Sequence, residues 1–243
     1  MEKGRIITYE STSPYVNMAM EETLFLSAIN SRVPVIRIWK NTSPCIYLGI
    51  GKKVNEDVFL NACKKNNIPV IRRFSGGGTV FHDKGNINFS FFLPLEKYPA
   101  FENLKNSYKE IFKILNSLVP EISLQGTSDF CINHKKISGN AQARKKNTML
   151  HHGTLLVNLD INKISKHLKT PKEMPEYRNA RTHKDFLTTF KKEKIKLNSK
   201  SLLAHIKNRF PDFIDSKPGL AEKNACKKIL KEKYFLDEWN FRI

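Results

Sequence analysis

The sequence has few cysteines, and none of them is paired by spacing. Its 243 residues include four, with no Cys-x-x-Cys motif, so neither a zinc site nor a disulfide framework is predicted. These are Cys45, Cys63, Cys131 and Cys226. Scattered cysteines are typical of a reducing compartment. Residues 1–13 lack the apolar core of a secretory signal, and no apolar run is long enough to span a membrane, so we expect a cytoplasmic protein.

Acidic residues are also scarce relative to basic ones. The chain has 23 acidic and 42 basic residues, a formal charge of +19. This excess fits a lysine-rich solvated surface, a nucleic-acid-binding protein, or an enzyme with an anionic substrate and an acidic protein partner. Charge alone does not select among them. The 40% of apolar residues excludes a disordered chain and is enough for a buried core.

Glycine is uncommon as well, yet three of the 11 glycines are consecutive, at Gly76, Gly77 and Gly78. Consecutive glycines are tolerated where another backbone or a ligand must come close. Two arginines and Ser75 precede them and offer donors for carboxylates and phosphates, and the glycine amides can form an anion nest. Residues 72–88 are therefore predicted to form an anion-binding turn. A plain glycine hairpin is the alternative.

The segments on either side of the glycines read as strands, at residues 69–74 and 86–93. The second alternates apolar and polar side chains, which indicates a strand with one buried face. The Lys-Ser/Thr ending of a strand-to-helix phosphate loop is absent, and the Gly49/Gly51 pair has no third glycine at Val54. These absences argue against a P-loop and against a dinucleotide-binding fingerprint.

A carboxylate lies on the apolar face of the first predicted helix, which begins with Ser13 as its N-cap and Pro14 at its first position. Asn17, Met20, Glu21, Leu24, Phe25 and Ala28 share that face. A buried Glu21 needs a partner because desolvating a lone charge is costly. The sequence suggests Arg72 or Arg73; alternatively, Glu21 lies at the edge of the stripe and reaches water.

The remaining elements follow from periodicity and turn signals. Residues 5–9, 35–39, 45–48, 128–133 and 149–158 are predicted strands, with 35–39 and 45–48 as neighbours. Residues 56–66, 99–120, 162–168, 199–210 and 220–233 are predicted helices, and residues 144–148 and 174–190 are predicted loops.

Two further segments carry candidate chemistry. After the strand at 128–133, alternation would place Lys136, Ser138 and Asn140 on one face, a plausible anion site or an ordinary lysine-rich surface. His151 and His152 are adjacent in a strand, so they point to opposite faces and cannot bind one ion together. We predict no metal site.

Together these segments resemble the lipoate-protein ligase A family of the biotin/lipoate ligase superfamily. The resemblance rests on residues 72–88, 135–142 and 151–156; residues 17–22 also resemble the family's first helix, and residues 238–241 a motif near the end of its main domain. It implies an α+β fold with mixed, largely antiparallel sheets flanked by helices. It also implies one catalytic domain over 1–243, with a core at about 1–190 and a helical segment at about 195–243.

The resemblance further implies a two-step reaction, in which lipoate and ATP give lipoyl-adenylate and a protein lysine then accepts the lipoyl group. Mg²⁺ would accompany the nucleotide. The acceptors would be lipoyl domains of 2-oxoacid dehydrogenase E2 subunits or the glycine-cleavage H protein. Lys136 takes the catalytic role. The implied substrate-binding residues are Glu21, Arg73, Ser75, Gly76, Gly77, Gly78, Val80, His82, Ser138, Ala141, His152 and Gly153.

Two alternatives to this function remain. An octanoyl- or lipoyl-transferase would use a cysteine acyl-enzyme or preformed lipoyl-adenylate, but no cysteine stands where those relatives have theirs, and Cys131 lies within a predicted strand. A nucleic-acid-binding protein lacks a recognisable module, so no nucleic-acid partner is expected. Long family members continue past the motif at 238–241 into an accessory domain, whereas this chain ends at Ile243, so we expect that domain to be absent. Two expectations follow: either adenylation needs a separate accessory polypeptide, or the protein only transfers preformed lipoyl-adenylate.

Overall fold

The computed structural model describes residues 2–242. The strands are β1 (Gly4–Ile7), β2 (Val35–Trp39), β3 (Cys45–Leu48), β4 (Val70–Arg72), β5 (Val80–His82), β6 (Asn86–Pro94), β7 (Ser123–Gln125), β8 (Asp129–Ile132), β9 (Lys135–Lys145), β10 (Thr148–Leu156) and β11 (Phe213–Ser216). The α-helices are α1 (Pro14–Ser31), α2 (Val54–Asp57), α3 (Leu60–Lys65), α4 (Leu104–Asn116), α5 (Ile161–His167), α6 (His183–Phe186), α7 (Ser199–Arg209), α8 (Leu220–Ile229) and α9 (Asp237–Asn240). None of the helices in this range is both long and apolar enough to cross a membrane.

Two sheets organise these elements. The larger has eight strands in the order β11-β1-β2-β6-β10-β9-β8-β7, and the smaller has three in the order β4-β3-β5. Strand pairs β1/β11, β1/β2 and β3/β4 are parallel, and the other pairs are antiparallel. The predicted α+β fold with largely antiparallel sheets is confirmed.

The alternation in β6 decides which face of the large sheet is which. Its odd-numbered side chains, Ile87, Phe89, Phe91 and Leu93, pack into a core shared with α4 and α7. Its polar even-numbered side chains point to the other face, which α1 and α8 cover around a second core. The small sheet packs with α2, α3 and α5 around a third core. The polar face of β6 is therefore enclosed inside the molecule.

The first helix forms as the sequence predicts. The Ser13 hydroxyl accepts a hydrogen bond from the Val16 amide, Pro14 takes the first helical position, and the helix ends where Arg32 adopts a left-handed conformation at φ 56°. The predicted stripe is buried along its whole length. Glu21 is consequently carried into the interior.

Four predictions about the elements are wrong. The strands β2 and β3 are not neighbours, because the turn between them carries the chain from the large sheet to the small one. Residues 56–66 are two short helices, since Val58 leaves helical geometry to bridge Leu168. Residues 144–148 are a tight hairpin, with Lys146 and Asn147 at positive φ, instead of a mobile loop. Residues 174–190 were predicted to be a loop but contain the short helix α6. The strands β5, β7 and β11 were not predicted, each being only three or four residues long.

Candidate active site

A cavity of about 830 Å³ opens between the two sheets. Its floor is the enclosed face of the large sheet, where paired residues of β2, β6, β10 and β9 form two rows across the strands. The first floor row is Arg37, Ser90, His152 and Ala141, and the second floor row is Trp39, Asn88, Thr154 and Gly139. The large sheet therefore forms a continuous floor beneath the cavity.

The glycine turn forms one wall, between β4 and β5. Beneath it Arg73 donates to the Gly76 carbonyl at 2.5 Å, to Ser75 Oγ at 3.1 Å and to the Tyr47 carbonyl at 3.2 Å. Gly77 has φ +88°, and a Cβ on Gly49 would overlap the Gly77 carbonyl oxygen. Burial lowers the pKa of Arg73 to about 10, which still leaves it charged at neutral pH. The buried guanidinium of Arg73 therefore fixes the conformation of the glycine turn through these hydrogen bonds.

The neighbouring arginine has a different role. Arg72 does not contact Glu21; among residues 2–242 its guanidinium donates only to backbone carbonyls, those of Gly49, Ile50, Lys52, Trp239 and Arg242. In return Trp239 Nε1 donates to the Arg72 carbonyl at 2.8 Å, and Asn240 Oδ1 accepts from the Arg72 amide at 3.0 Å. The motif at 238–241 therefore fastens the C-terminal segment to the base of the glycine turn.

The partner of Glu21 is Arg37, so the prediction of Arg72 or Arg73 is wrong. Both side chains are fully buried, and Arg37 Nη1 lies 2.8 Å from Glu21 Oε1. Ser90 Oγ donates to Glu21 Oε2 at 2.6 Å. Burial would raise the pKa of this carboxyl, but the hydrogen bond from His152 and the charge of Arg37 hold it below its ordinary value. Glu21 is therefore ionised, and it contacts Arg37 and Ser90 of the first floor row without lining the cavity itself.

His152 joins this ion pair to the glycine turn. Its Nδ1 lies 3.5 Å from Glu21 Oε2, and its Nε2 lies 2.7 Å from Ser75 Oγ. Burial lowers the pKa of His152, and the nearby Glu21 offsets only part of that effect. In the neutral ring Nδ1 carries the proton toward Glu21, so Nε2 accepts from Ser75. A line of contacts therefore runs from Arg37 through Glu21, His152 and Ser75 to Arg73.

Acid should destabilise this protein well above the range where carboxylates titrate. Burial lowers the pKa of His82 to about 3, with Arg73 adding to the effect, and also lowers the pKa values of His151 and His152. The unfolded chain takes up these protons below its pKa of about 6.5 and the folded chain does not, so stability falls as pH drops. His82 alone contributes a slope of about 1.4 kcal/mol per pH unit between about 6.5 and 3.

Urea denaturation between pH 7 and pH 5 measures this slope. We expect His82→Gln to reduce the slope by about 1.4 kcal/mol per pH unit, the share of His82, while His151 and His152 keep theirs. The exposed His134 provides the matched control, and His134→Gln should leave the slope as it is. A wild-type stability that stays constant over this range would contradict the expectation.

Lys136 stands at the β9 end of the second floor row. Its Nζ lies 2.8 Å from Asp129 Oδ1, and Tyr177 donates its hydroxyl to Asp129 Oδ2 at 2.6 Å. A Cβ on Gly139 would approach Lys136 Nζ to 3.4 Å, so the missing side chain leaves room for the lysine. Lys136 is about a quarter exposed toward the cavity, where its charge is available to an anion.

The prediction that Lys136 and Ser138 share a face is wrong. Phe130 pairs with Ser138 while the next residue, Cys131, pairs with Lys136, so β9 contains an extra residue at Ile137. This bulge moves Ser138 to the far face, where it is fully buried and accepts from Asn140 Nδ2. Regular alternation could not have revealed the shift.

Most of the predicted site residues meet at this cavity. Those lining it are Arg73, Gly76, Gly77, Gly78, Val80, His82, Lys136, Ala141, His152 and Gly153. Glu21 and Ser75 lie behind it and support His152, and Ser138 lies outside it. Sequence reasoning missed Arg37, Asp129 and Tyr177. Arg37 could have been noticed as a charge within a β-branched run, but the other two carry no local signal.

The cysteines lie away from solvent, and all four are buried and free. Burial raises the pKa of Cys131 to about 11, so its thiol stays protonated at neutral pH. Cys45 and Cys63 are shifted in the same direction. None of these thiols has the depressed pKa of a nucleophile.

The two sheets with the cavity between them have the fold of solved lipoate-protein ligases. Residues 13–210 match the family described as the Lipoyl protein ligase A/B catalytic domain. The chain therefore belongs to the lipoyl protein ligase A/B family.

Two curated relatives and one solved structure show the range of the likeness. The chain is 32% identical over 240 residues to a probable lipoate-protein ligase A of Mycoplasma genitalium, covering 97% of this chain and 71% of that protein. It is 29% identical over 273 residues to the octanoyltransferase LipM of Carboxydothermus hydrogenoformans, covering 100% of both. A bi-partite lipoate protein ligase from Thermoplasma acidophilum, studied with its E2 lipoyl domain, has a TM-score of 0.77 at 22% identity, covering 99% of this chain and 97% of that one.

Proposed function

We propose that this protein is a lipoate-protein ligase. It would activate lipoate with ATP and transfer the lipoyl group to a lysine of an acceptor protein. The observation that carries the proposal is the placement of Lys136 at one end of a floor that is bare backbone at Gly139 and leads beneath the glycine turn. The name of the Mycoplasma genitalium relative supports the same function.

The first step brings together two anions, and the cavity is lined by cations. A carboxylate oxygen of lipoate attacks the α-phosphorus of ATP, the bond to the β-phosphate oxygen breaks, and pyrophosphate leaves. Lys136 and Arg73 reduce the repulsion between the groups and stabilise the charge of the transition state. Lys52, Lys169 and Arg178 also line the cavity and suit the departing phosphates.

In the second step the acceptor lysine, as a free amine, attacks the acyl carbon of lipoyl-adenylate. The amide bond forms, AMP leaves with the electrons of the acyl–phosphate bond, and the amine nitrogen loses a proton. Lys136 beside the acyl phosphate would again offset the charge that develops on the leaving group. Asp129 and Tyr177 hold Lys136 in that position.

The Mg²⁺ that accompanies ATP would be held chiefly by phosphates and water. Within residues 2–242 no three His, Cys, Asp or Glu side chains are grouped to hold an ion. Asp129, an acidic group of the cavity, is already engaged by Lys136 and Tyr177. We therefore assign no protein residue to the metal.

For partners, we propose lipoyl domains of 2-oxoacid dehydrogenase E2 subunits, the glycine-cleavage H protein, and a separate accessory subunit. The Thermoplasma acidophilum neighbour is described as bi-partite and was studied with an E2 lipoyl domain, which supports the first and the last of these. The free cysteines support a reducing location such as the cytoplasm.

Pyrophosphate release by the purified chain with lipoate and ATP tests the first step. Mass spectrometry of an added lipoyl domain, supplied either with lipoate and ATP or with synthetic lipoyl-adenylate, tests the second. Transfer from lipoyl-adenylate is expected of the chain alone, and pyrophosphate release is expected of the chain alone or together with the accessory subunit. Transfer from lipoyl-adenylate without pyrophosphate release would indicate that adenylation needs the accessory subunit. Inactivity in both steps would contradict the proposal.

An octanoyltransferase that works through a cysteine is the second candidate, because one relative that the chain matches over its whole length is named an octanoyltransferase. Such an enzyme needs a thiolate, and burial raises the pKa of Cys131 to about 11. We expect Cys131→Ser to retain activity within about threefold, since the sulfur only packs and donates weakly to Tyr177. An octanoyl thioester on Cys131, detected by mass spectrometry of the intact protein, would favour the octanoyltransferase over the ligase.

A further inference from the structure

His151 lies on the face of the large sheet that is turned away from the cavity. It is fully buried, its ring stacks on Phe89 at 6.1 Å between centroids, and Tyr108 meets it edge-on at 5.2 Å. Burial lowers the pKa of His151 well below its ordinary value, so the ring is neutral at pH 7. A polar ring costs desolvation in an apolar core, and neither step of the proposed reaction uses this one.

The hydrogen bonds around His151 decide which ring nitrogen carries the proton. Arg144 can only donate, and its guanidinium donates to Gln142 Oε1 at 3.1 Å and 3.2 Å. The amide nitrogen of Gln142 therefore faces His151 and donates to its Nδ1 at 3.0 Å. Because Nδ1 accepts, Nε2 carries the proton of the neutral ring and donates to Asn140 Oδ1 at 3.2 Å. Every donor in this series thus points away from Arg144 and toward Asn140.

Asn140 passes this orientation on to the backbone of another strand. Since its oxygen accepts from His151, its amide nitrogen is turned to the Ser128 carbonyl at 2.7 Å and to Ser138 Oγ at 3.2 Å. The side chain crosses Gly153 of β10, where a Cβ would overlap Asn140 Oδ1. The glycine therefore gives the amide room to reach Ser128.

Ser128 directly precedes Asp129, the carboxylate that lies 2.8 Å from Lys136 Nζ. Register pairing between β8 and β9 ends at Phe130, which pairs with Ser138, and β7 on the other side is the last strand of the sheet. The start of β8 is thus beyond the paired part of β9. The hydrogen bond from the Asn140 side chain continues the connection to β9 at this point.

We propose that His151 and Asn140 are positioning residues for adenylation, which fix Asp129 and, through Asp129, the ammonium of Lys136. This inference rests on the proposed function. A cation stabilises developing charge best when it is held in place before the reaction, and a displacement of about 1 Å can cost about 100-fold in rate. The two adjacent histidines then act on opposite faces of the sheet, since His152 contacts Ser75 of the glycine turn and His151 orients Asn140.

Asn140→Leu keeps the shape of the side chain and removes its hydrogen bond to Ser128. In pyrophosphate release we expect kcat to fall by about 10–100-fold while KM for lipoate and for ATP stays within about threefold, because a displaced Lys136 loses transition-state stabilisation more than ground-state binding. A kcat within about twofold of the wild-type value would overturn the inference.

His151→Phe keeps a ring of similar shape and removes only the group that orients Asn140, so it should lower kcat in the same way by about three- to tenfold. Thr148→Val is the matched control. Thr148 is fully buried on the same strand, it does not line the cavity, and its hydroxyl accepts from Arg32 at 2.9 Å. Loss of that buried hydrogen bond should leave both kcat and KM unchanged. Equal losses of kcat in His151→Phe and Thr148→Val would indicate a general effect of destabilisation and would overturn the inference.

A double-mutant cycle shows whether Asn140 acts through Asp129. In an Asp129→Asn background, Asn140→Leu should lower kcat by less than about twofold, because the carboxylate that it positions has already been removed. The same 10–100-fold loss in both backgrounds would place the effect of Asn140 elsewhere and contradict the proposal.

Hydrogen–deuterium exchange tests the positioning without catalysis. The amides of residues 126–131 should exchange about tenfold faster in Asn140→Leu than in the wild type, and at the wild-type rate in Thr148→Val. Unchanged exchange in Asn140→Leu would reject the inference. If the wild type releases no pyrophosphate, the proposed function fails at that step, and the exchange rates decide separately whether Asn140 holds Asp129. Should Asn140→Leu fail to fold, His151→Phe, which leaves Asn140 in place, carries the same measurements.

Discussion

Replacing Lys136 by alanine is expected to reduce the rate of lipoyl-adenylate formation by at least about 10²–10³-fold, the usual loss when one charge-stabilising group is removed. Its ammonium is the cation at the end of the floor, and no other residue takes its place beside Gly139 among those described. The fold should persist, because Lys136 is partly exposed and Asp129 keeps its hydrogen bond from Tyr177. Pyrophosphate release measures the rate.

Lys135 provides the control for this variant. It is the preceding residue of the same strand, it carries the same charge, and its side chain is exposed to solvent. Lys135→Ala should release pyrophosphate at the wild-type rate. Equal rates for Lys136→Ala and the wild type, with both proteins folded by circular dichroism, would remove Lys136 from the mechanism.

The Glu21→Gln variant should lose about 3–5 kcal/mol of unfolding free energy. It keeps the shape of the side chain but removes the charge that compensates Arg37, and both groups are fully buried. Breaking a buried ion pair by neutralising one partner leaves the other charge in a medium of low polarity. Urea denaturation at pH 7 measures the loss.

The matching control is the partly exposed pair of Glu110 with Lys113, at 2.6 Å on α4. Solvent screens that pair, so Glu110→Gln should cost less than about 1 kcal/mol. If Glu21→Gln cost no more than Glu110→Gln, Arg37 would have to be stabilised by the carbonyls of Tyr9 and Asn17 instead of by the carboxylate.

Local sequence was sufficient where one element determines the outcome. The N-cap at Ser13 and the apolar stripe predicted α1, and strict alternation predicted β6 to within one residue. The glycine turn was predicted because consecutive glycines are tolerated mainly where another backbone or a ligand must come close. In each case the determining interactions lie within a few residues of one another along the chain.

Sequence was insufficient where a partner comes from another element. Glu21 and Arg37 meet because α1 packs on β2, a contact that depends on the order of strands in the large sheet. The bulge at Ile137 depends on how β8 is paired with β9. Asp129 reaches Lys136 only through that pairing. Such features depend on the tertiary topology, so they produce no periodic pattern in the sequence.

The hydrogen bonds between Arg72 and residues 239–242 have a consequence for folding during synthesis. The glycine turn is encoded in the first third of the chain, yet two of the carbonyls that accept hydrogen bonds from the Arg72 guanidinium at its base belong to Trp239 and Arg242, about 170 positions later. During translation the base of the glycine turn therefore lacks its hydrogen bonds to Trp239 and Arg242 until the last residues of the chain have been made. A nascent chain stalled before Trp239 would carry the Arg72 cation without those two acceptors, and the glycine turn would reach its final hydrogen bonding only after the ribosome had passed Arg242.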